Sequence, residues 1–146
     1  MLKAYLLMII TQNKYEQTRI KTITMIEVLN KEVGGVHYKN MKMQPIELIV
    51  KTNLNFIQGC IIKYVTRYKN KNGKEDIEKA IHNAQLAIDL HSNGPDDCIN
   101  EGYAYCKINK LSNLQTTIVI SAMQNDYYKV IKYCYAILKN EYKNQD

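Results

Sequence analysis

The chain has 146 residues, 46% of them hydrophobic and 23% charged, with 20 Lys+Arg against 14 Asp+Glu and a formal net charge of +6. These values suit one globular domain and exclude collagen-like, mucin-like and wholly disordered chains. The basic excess favours an anionic partner such as a nucleotide, a nucleic acid or an acidic membrane face, without choosing among them.

The N-terminal run Met1 to Ile10 is apolar but too short to span a bilayer. Thr11-Gln12-Asn13-Lys14 follows it, with no small-residue cleavage site of the secretory type. A core helix or an oligomer contact is the expectation for this run. Residues 1–33 form an N-terminal extension, read as helix from the spacing of Ile20, Ile23, Ile26 and Val33. Gly34-Gly35 breaks that pattern.

Pro45 at a first helical position predicts a helix over 45–52. A second helix is expected over 55–68, with Ile57, Cys60, Ile61, Tyr64, Val65 and Tyr68 inward. Lys69 to Gly73 has turn composition. The third helix is predicted over 74–90, with Asn72 as its cap and Ile77, Ala80, Ile81, Ala84, Ala87 and Ile88 as its stripe. Ser92 to Asp96 is another break. A short strand or irregular loop is expected over 103–108. Helices over 112–124 and 126–142 close the chain, the first opened by a Ser112/Gln115 capping box.

The fold class expected is therefore mainly α, a small helical domain of a homo-oligomer. One domain spans 1–146, with a C-terminal helical extension over 91–146. Cys60, Cys98, Cys106 and Cys134 have neither C-x-x-C nor zinc-finger spacing. Reduced, mostly buried thiols in a cytoplasmic protein are the expectation.

The run Lys63 to Lys74 carries five positive charges and no negative one. Lys63 and Arg67 are four apart and share a helix face, with Gly59 one turn earlier. Two cations beside a bare glycine suit a phosphate, since Arg offers a planar fork of donors and Lys a mobile point charge. The bland alternative is a solvated basic face at a helix end. His37-Tyr38 could donate to phosphate and stack on a base. Glu47 and Asp76 could hold Mg²⁺ through water or orient Lys63 and Arg67, or could be ordinary first-turn helix charges. No G-x-x-x-x-G-K-[ST] loop, G-x-G-x-x-G or H-E-x-x-H occurs, so a P-loop kinase, a dinucleotide-binding unit and a zincin are not expected. His82 and His91 stand alone and read as surface or structural residues.

Three runs carry a family resemblance: Gly34-Gly35-Val36-His37-Tyr38-Lys39-Asn40-Met41-Lys42-Met43-Gln44-Pro45-Ile46-Glu47, then Asn55 to Tyr68, then Lys71 to Ala80. Together residues 34–90 resemble the SaV-like, nucleotide kinase-like domain of small bacteriophage proteins. The resemblance implies a nucleotide-binding protein of the host-cell cytoplasm. One branch of that family is a nucleoside monophosphate kinase without a P-loop that assembles as an oligomer. Its polar motif positions fall on His37, Tyr38, Gln44, Glu47, Lys63, Arg67, Asp76 and Lys79. Gly59 and Tyr64 join these as candidate ligand contacts from the residue pattern.

Three functions follow as expectations. A phosphoryl-transfer enzyme would need Mg²⁺, with Lys63 and Arg67 neutralising charge on the transferred group. A non-catalytic sponge would sequester a nucleotide immune signal as an anti-defence protein, and would need neither base nor metal. Val36, Cys60 and Asn83, which stand where that family often has Asp, Asn and an aromatic, suit the sponge. The weaker alternative is a nucleic-acid-binding protein using residues 63–74. No membrane partner is expected.

Overall fold

The computed structural model describes residues 1–31 and 35–143, and of residues 20–26 only the backbone. Among the described residues the chain is all helix and turn, which agrees with the predicted class. It divides into two compact units, Met1–Lys39 and Asn40–Asp146.

The first unit is built on α1, Leu2–Asn30. Leu2, Tyr5, Leu6, Leu7, Met8, Ile9 and Ile10 are all exposed there, so this apolar run is not a core helix. Its apolar residues occupy consecutive positions rather than one helical stripe, so no single face of α1 can bury them all. The predicted face of Ile20, Ile23, Ile26 and Val33, and the Gly34 half of the break, fall outside the residues whose side chains are described.

The second unit holds α2 (Pro45–Lys51), α3 (Phe56–Arg67), a 3₁₀ turn (Tyr68–Asn70), α4 (Lys74–Asp89), α5 (Ile99–Ile108), α6 (Asn113–Met123) and α7 (Tyr127–Glu141). Helix α3 packs on α4, α4 on α7, α7 on α6 and α6 back on α3, which closes a ring of four helices. Helix α2 lies against α3, and α5 against α6. The core inside is Ile61, Ile62, Val65, Ile77, Ala80, Ala84, Ile118, Val119, Ala122, Val130, Cys134 and Ile137, with Tyr68 and Tyr105 fully enclosed. Alanines on α4 let α3 and α7 approach it closely from two sides. Each buried Ile or Val contributes about 1.5–3 kcal/mol over the exposed state.

Two local expectations need correction. Residues 103–108 belong to α5 and are neither strand nor loop. Gly102, Tyr105 and Cys106 are buried while Tyr103 and Ala104 are exposed, an i, i+3, i+4 period. A Cβ at Gly102 would collide with Met123 of α6, so the glycine sets how closely α5 lies on α6. The second correction is the cap of α4. Gly73, at φ 51°, precedes the helix without a side-chain cap, and Asn72 does not serve. Positive φ is cheap for glycine and lets the 3₁₀ turn reverse directly into α4. The Ser112/Gln115 box at α6 forms as expected, with Gln115 N donating to Ser112 Oγ at 3.2 Å and Ser112 N to Gln115 Oε1 at 3.0 Å.

Polar side chains fix the loops around this ring. Gln58 is fully buried, and its amide donates to the carbonyls of Pro95 and Ala122 (both 3.1 Å). Asn125, at φ 59°, accepts from Gly94 N at 2.8 Å and donates to Gly94 O at 3.0 Å. The 92–96 segment is thereby tied to the α6–α7 turn. All four cysteines are free; Cys60, Cys106 and Cys134 are buried and Cys98 is half-buried.

Candidate basic site on helices α3 and α4

Lys63, Tyr64 and Arg67 project from one side of α3, and Asp76 and Lys79 from the facing side of α4. The Arg67 guanidinium donates from Nε to Asp76 Oδ2 at 3.0 Å and from Nη2 to Asp76 Oδ1 at 3.1 Å. The Asp76 side chain is 0% exposed and that of Arg67 11%. This is a buried, two-pronged ion pair, the geometry in which Arg and a carboxylate match best. It joins α3 to the first turn of α4, where a carboxylate also meets the positive end of the helix dipole.

Tyr64 is the centre of the arrangement. Lys63 Nζ lies 4.9 Å from its ring centroid, Arg67 Cζ 5.0 Å and Lys79 Nζ 6.0 Å. The two closer contacts, of Lys63 and Arg67, contribute about 0.5–1 kcal/mol each. Lys79 also pairs with Glu75 one turn earlier, and that hydrogen bond holds its ammonium above the ordinary lysine range. One turn later the Asn83 side-chain amide donates to Lys79 O at 2.8 Å. Lys63 has no carboxylate partner among the described residues. Two of the three cations are thus neutralised and one is not.

The remaining expected site residues have other surroundings. Gly59 is buried, and a Cβ there would stand 3.1 Å from Ile49 Cδ1, so the space beside it is filled by α2 rather than left for a ligand. Gln44 and Glu47 serve each other at the start of α2, where Gln44 N donates to Glu47 Oε2 at 2.7 Å as part of a capping box. His37 and Tyr38 fall in the N-terminal unit, with ring centroids 6.4 Å apart and nearly perpendicular. A Cβ at Gly35 would run into the His37 ring, which accounts for that glycine locally. His82 and His91 are exposed.

The carboxylates suggested for Mg²⁺ do not fit the ion. Both oxygens of Asp76 are taken by Arg67 inside the fold, and Glu47 is spent on its helix cap. Mg²⁺ is held by carboxylates that share it with water. No group of three or more His, Cys, Asp or Glu is placed to hold a metal among the described residues. No described helix is long and apolar enough to cross a membrane.

The sequence offered Asp76 as a carboxylate that could orient both Lys63 and Arg67, and the structure brings it to Arg67 alone. The signal was present in the chain: an Asp nine residues after an Arg, across a glycine turn, is within reach of it once two helices fold back on each other. A family model described as a protein of unknown function (DUF3310) matches residues 30–85, a span that includes α2, α3 and most of α4. No curated protein and no solved structure matches the chain.

Proposed function

We propose that the α3–α4 face holds the phosphates of a nucleotide or a nucleotide-derived signal. The observation that carries this reading is the convergence of Lys63, Arg67 and Lys79 on one tyrosine ring, with Lys63 left without a carboxylate. Lys63 and Lys79 supply charge to the phosphates, Tyr64 supplies a flat ring and a hydroxyl, and Arg67 with Asp76 holds the two helices in register. The likeness of residues 34–90 to the nucleotide kinase-like domain of bacteriophage proteins supports the choice of ligand. The same reading makes the protein a homo-oligomer of the host-cell cytoplasm, with the exposed apolar run of α1 as a contact.

Sequestration without turnover is favoured over phosphoryl transfer by one feature. The carboxylates nearest the cluster, Asp76 and Glu75, are both engaged by cations. Neither is spare as a base. A sponge needs only charge and stacking, and these residues supply both.

The test is calorimetry against a panel of mononucleotides, cyclic nucleotides and dinucleotide signals, followed by mass spectrometry of the recovered ligand. The Lys63→Ala/Lys79→Ala variant keeps the Arg67–Asp76 pair and is expected to fold. Charge-assisted hydrogen bonds contribute roughly 1.5–3 kcal/mol each, so its affinity should fall by at least tenfold per lysine engaged. Unchanged affinity in the folded variant overturns the site. Recovery of intact ligand supports the sponge, and recovery of a phosphorylated product supports the transferase.

A further inference from the structure

A concave feature lies elsewhere on the second unit, where the 3₁₀ turn at Tyr68–Asn70 meets the α5–α6 turn. It is a cleft of about 280 Å³. Small-molecule sites begin near roughly 300 Å³, and a water occupies about 30 Å³. The cleft therefore has room for a phosphoryl group and a small organic body.

Its charge is one-sided. Lys69 and Lys110 line it, and no Asp or Glu does. Neither lysine has a carboxylate partner among the described residues. Ser112 lines it too; its hydroxyl accepts from Gln115 N and has no acceptor for its own hydrogen among the described residues. Met41 and Leu111 add an apolar side.

The walls are built rather than loose. Asn109 donates to Met43 O at 2.8 Å and accepts from Lys42 N at 3.1 Å and Met43 N at 3.3 Å, which fixes the segment carrying Met41. Lys110 sits at φ 54° between two backbone bonds, Lys110 N to Lys107 O at 3.1 Å and Leu111 N to Cys106 O at 3.0 Å. At the base, the nearly buried Gln115 donates to Val65 O at 2.9 Å, and the nearly buried Thr66 hydroxyl bonds that of Tyr105 at 2.8 Å. Lys69 Nζ lies 5.7 Å from the Tyr68 ring centroid, a contact that leaves its N–H donors available. A fixed, carboxylate-free concavity with two ammonium groups is suited to a compact dianion.

We propose that this cleft binds a small phosphate monoester, with Lys69 and Lys110 on the phosphoryl oxygens and Met41 and Leu111 against the organic body. The site is separate from the Lys63 cluster and does not depend on the reading of that cluster. The experiment is an NMR titration of the ¹⁵N-labelled full chain with inorganic phosphate and with a nucleoside monophosphate, against sodium chloride at matched ionic strength. Saturable shifts are expected at the amides of Asn70, Asn109, Lys110 and Ser112. They should persist in the Lys63→Ala variant and weaken by at least about tenfold in Lys69→Ala/Lys110→Ala. Both lysines are exposed, and an unchanged spectrum elsewhere confirms that the double variant folds. Shifts that never saturate, that chloride reproduces, or that survive the double substitution overturn the proposal. A tighter response to the nucleoside monophosphate than to phosphate assigns a role to the apolar side; equal responses reduce the site to phosphate alone and overturn that part.

Discussion

Replacing Arg67 with alanine would leave the Asp76 carboxylate fully enclosed with no cation facing it. Removing one partner of a buried ion pair costs about 3–5 kcal/mol, because the other charge stays desolvated. The reverse change is milder. In Asp76→Asn the amide oxygen still accepts one hydrogen bond, and the Arg67 side chain keeps 11% exposure through which water can reach it. Arg67→Lys keeps the charge but loses the fork that meets both Asp76 oxygens, and should fall between the two. The expected order of destabilisation by urea unfolding is therefore Arg67→Ala, then Arg67→Lys, then Asp76→Asn. Against a typical stability of about 5–15 kcal/mol, the first value is a large share of the total. A double-mutant cycle on Arg67 and Asp76 should show strong coupling. An Arg67→Ala chain that loses less than about 1 kcal/mol while losing all nucleotide affinity would show that Arg67 is a ligand group and that its pairing with Asp76 is incidental.

Burial pushes the Cys134 thiol up to about 12 and the Cys106 thiol up to about 11. In the unfolded chain both ionise near 8.5, so the folded state holds protons that the unfolded state releases as pH rises. Stability should then fall above about pH 8.5–9, by roughly 1.4 kcal/mol per pH unit for each thiol until its folded value is reached; denaturant midpoints that stay flat from pH 8 to pH 11 would refute this. Tyr68, raised by burial first and then by its 2.8 Å bond to Glu141, adds to the same loss above about pH 10, and Tyr68→Phe should make that part of the slope shallower. In a native thiol-labelling assay Cys98 should react and Cys134 should not, and labelling of Cys134 as fast as Cys98 would contradict the packing of α7. Gly59→Ala should destabilise, since Ile49 must yield to a Cβ at 3.1 Å, and a thermal melt at or above that of the parent would show that α2 is free to move off α3. Mononucleotide affinity should fall only modestly with salt, whereas a steep slope with an oligonucleotide and no saturable mononucleotide binding would favour the nucleic-acid reading of residues 63–74.

The helices of the second unit were legible where the apolar period was long. Ile77, Ala80, Ile81, Ala84 and Ala87 repeat every three to four residues, and all five are buried. The α5 segment was not, because Tyr103-Ala104-Tyr105-Cys106 mixes rings and small residues whose sides are set by α6 rather than by composition. The candidate site was legible as a set of charges but not as a division of roles. Spacing puts Lys63 and Arg67 on one face of α3. It does not say that α4 brings a carboxylate to one of them and not to the other. Gly59 misled for a related reason: a missing side chain makes room equally for a ligand and for a neighbouring helix, and Ile49 took it.

The division between Arg67 and Lys63 also bears on how such a cluster is tolerated. Like charges around one ring repel, and the repulsion grows as water is excluded. Asp76 removes that cost for the most enclosed cation, and Glu75 lowers it for Lys79, which is part-exposed. Lys63 can remain unpaired because it is only half-buried and its stem can carry the ammonium towards water. A ligand phosphate arriving at Lys63 would replace that water and the missing carboxylate together. The pair on Arg67 then acts as the fixed frame, and Lys63 as the group whose charge is available to trade. Under the proposed binding a hierarchy follows for the cluster: the enclosed Arg67–Asp76 pair governs stability, and Lys63, with the exposed Lys79 beside it, governs affinity.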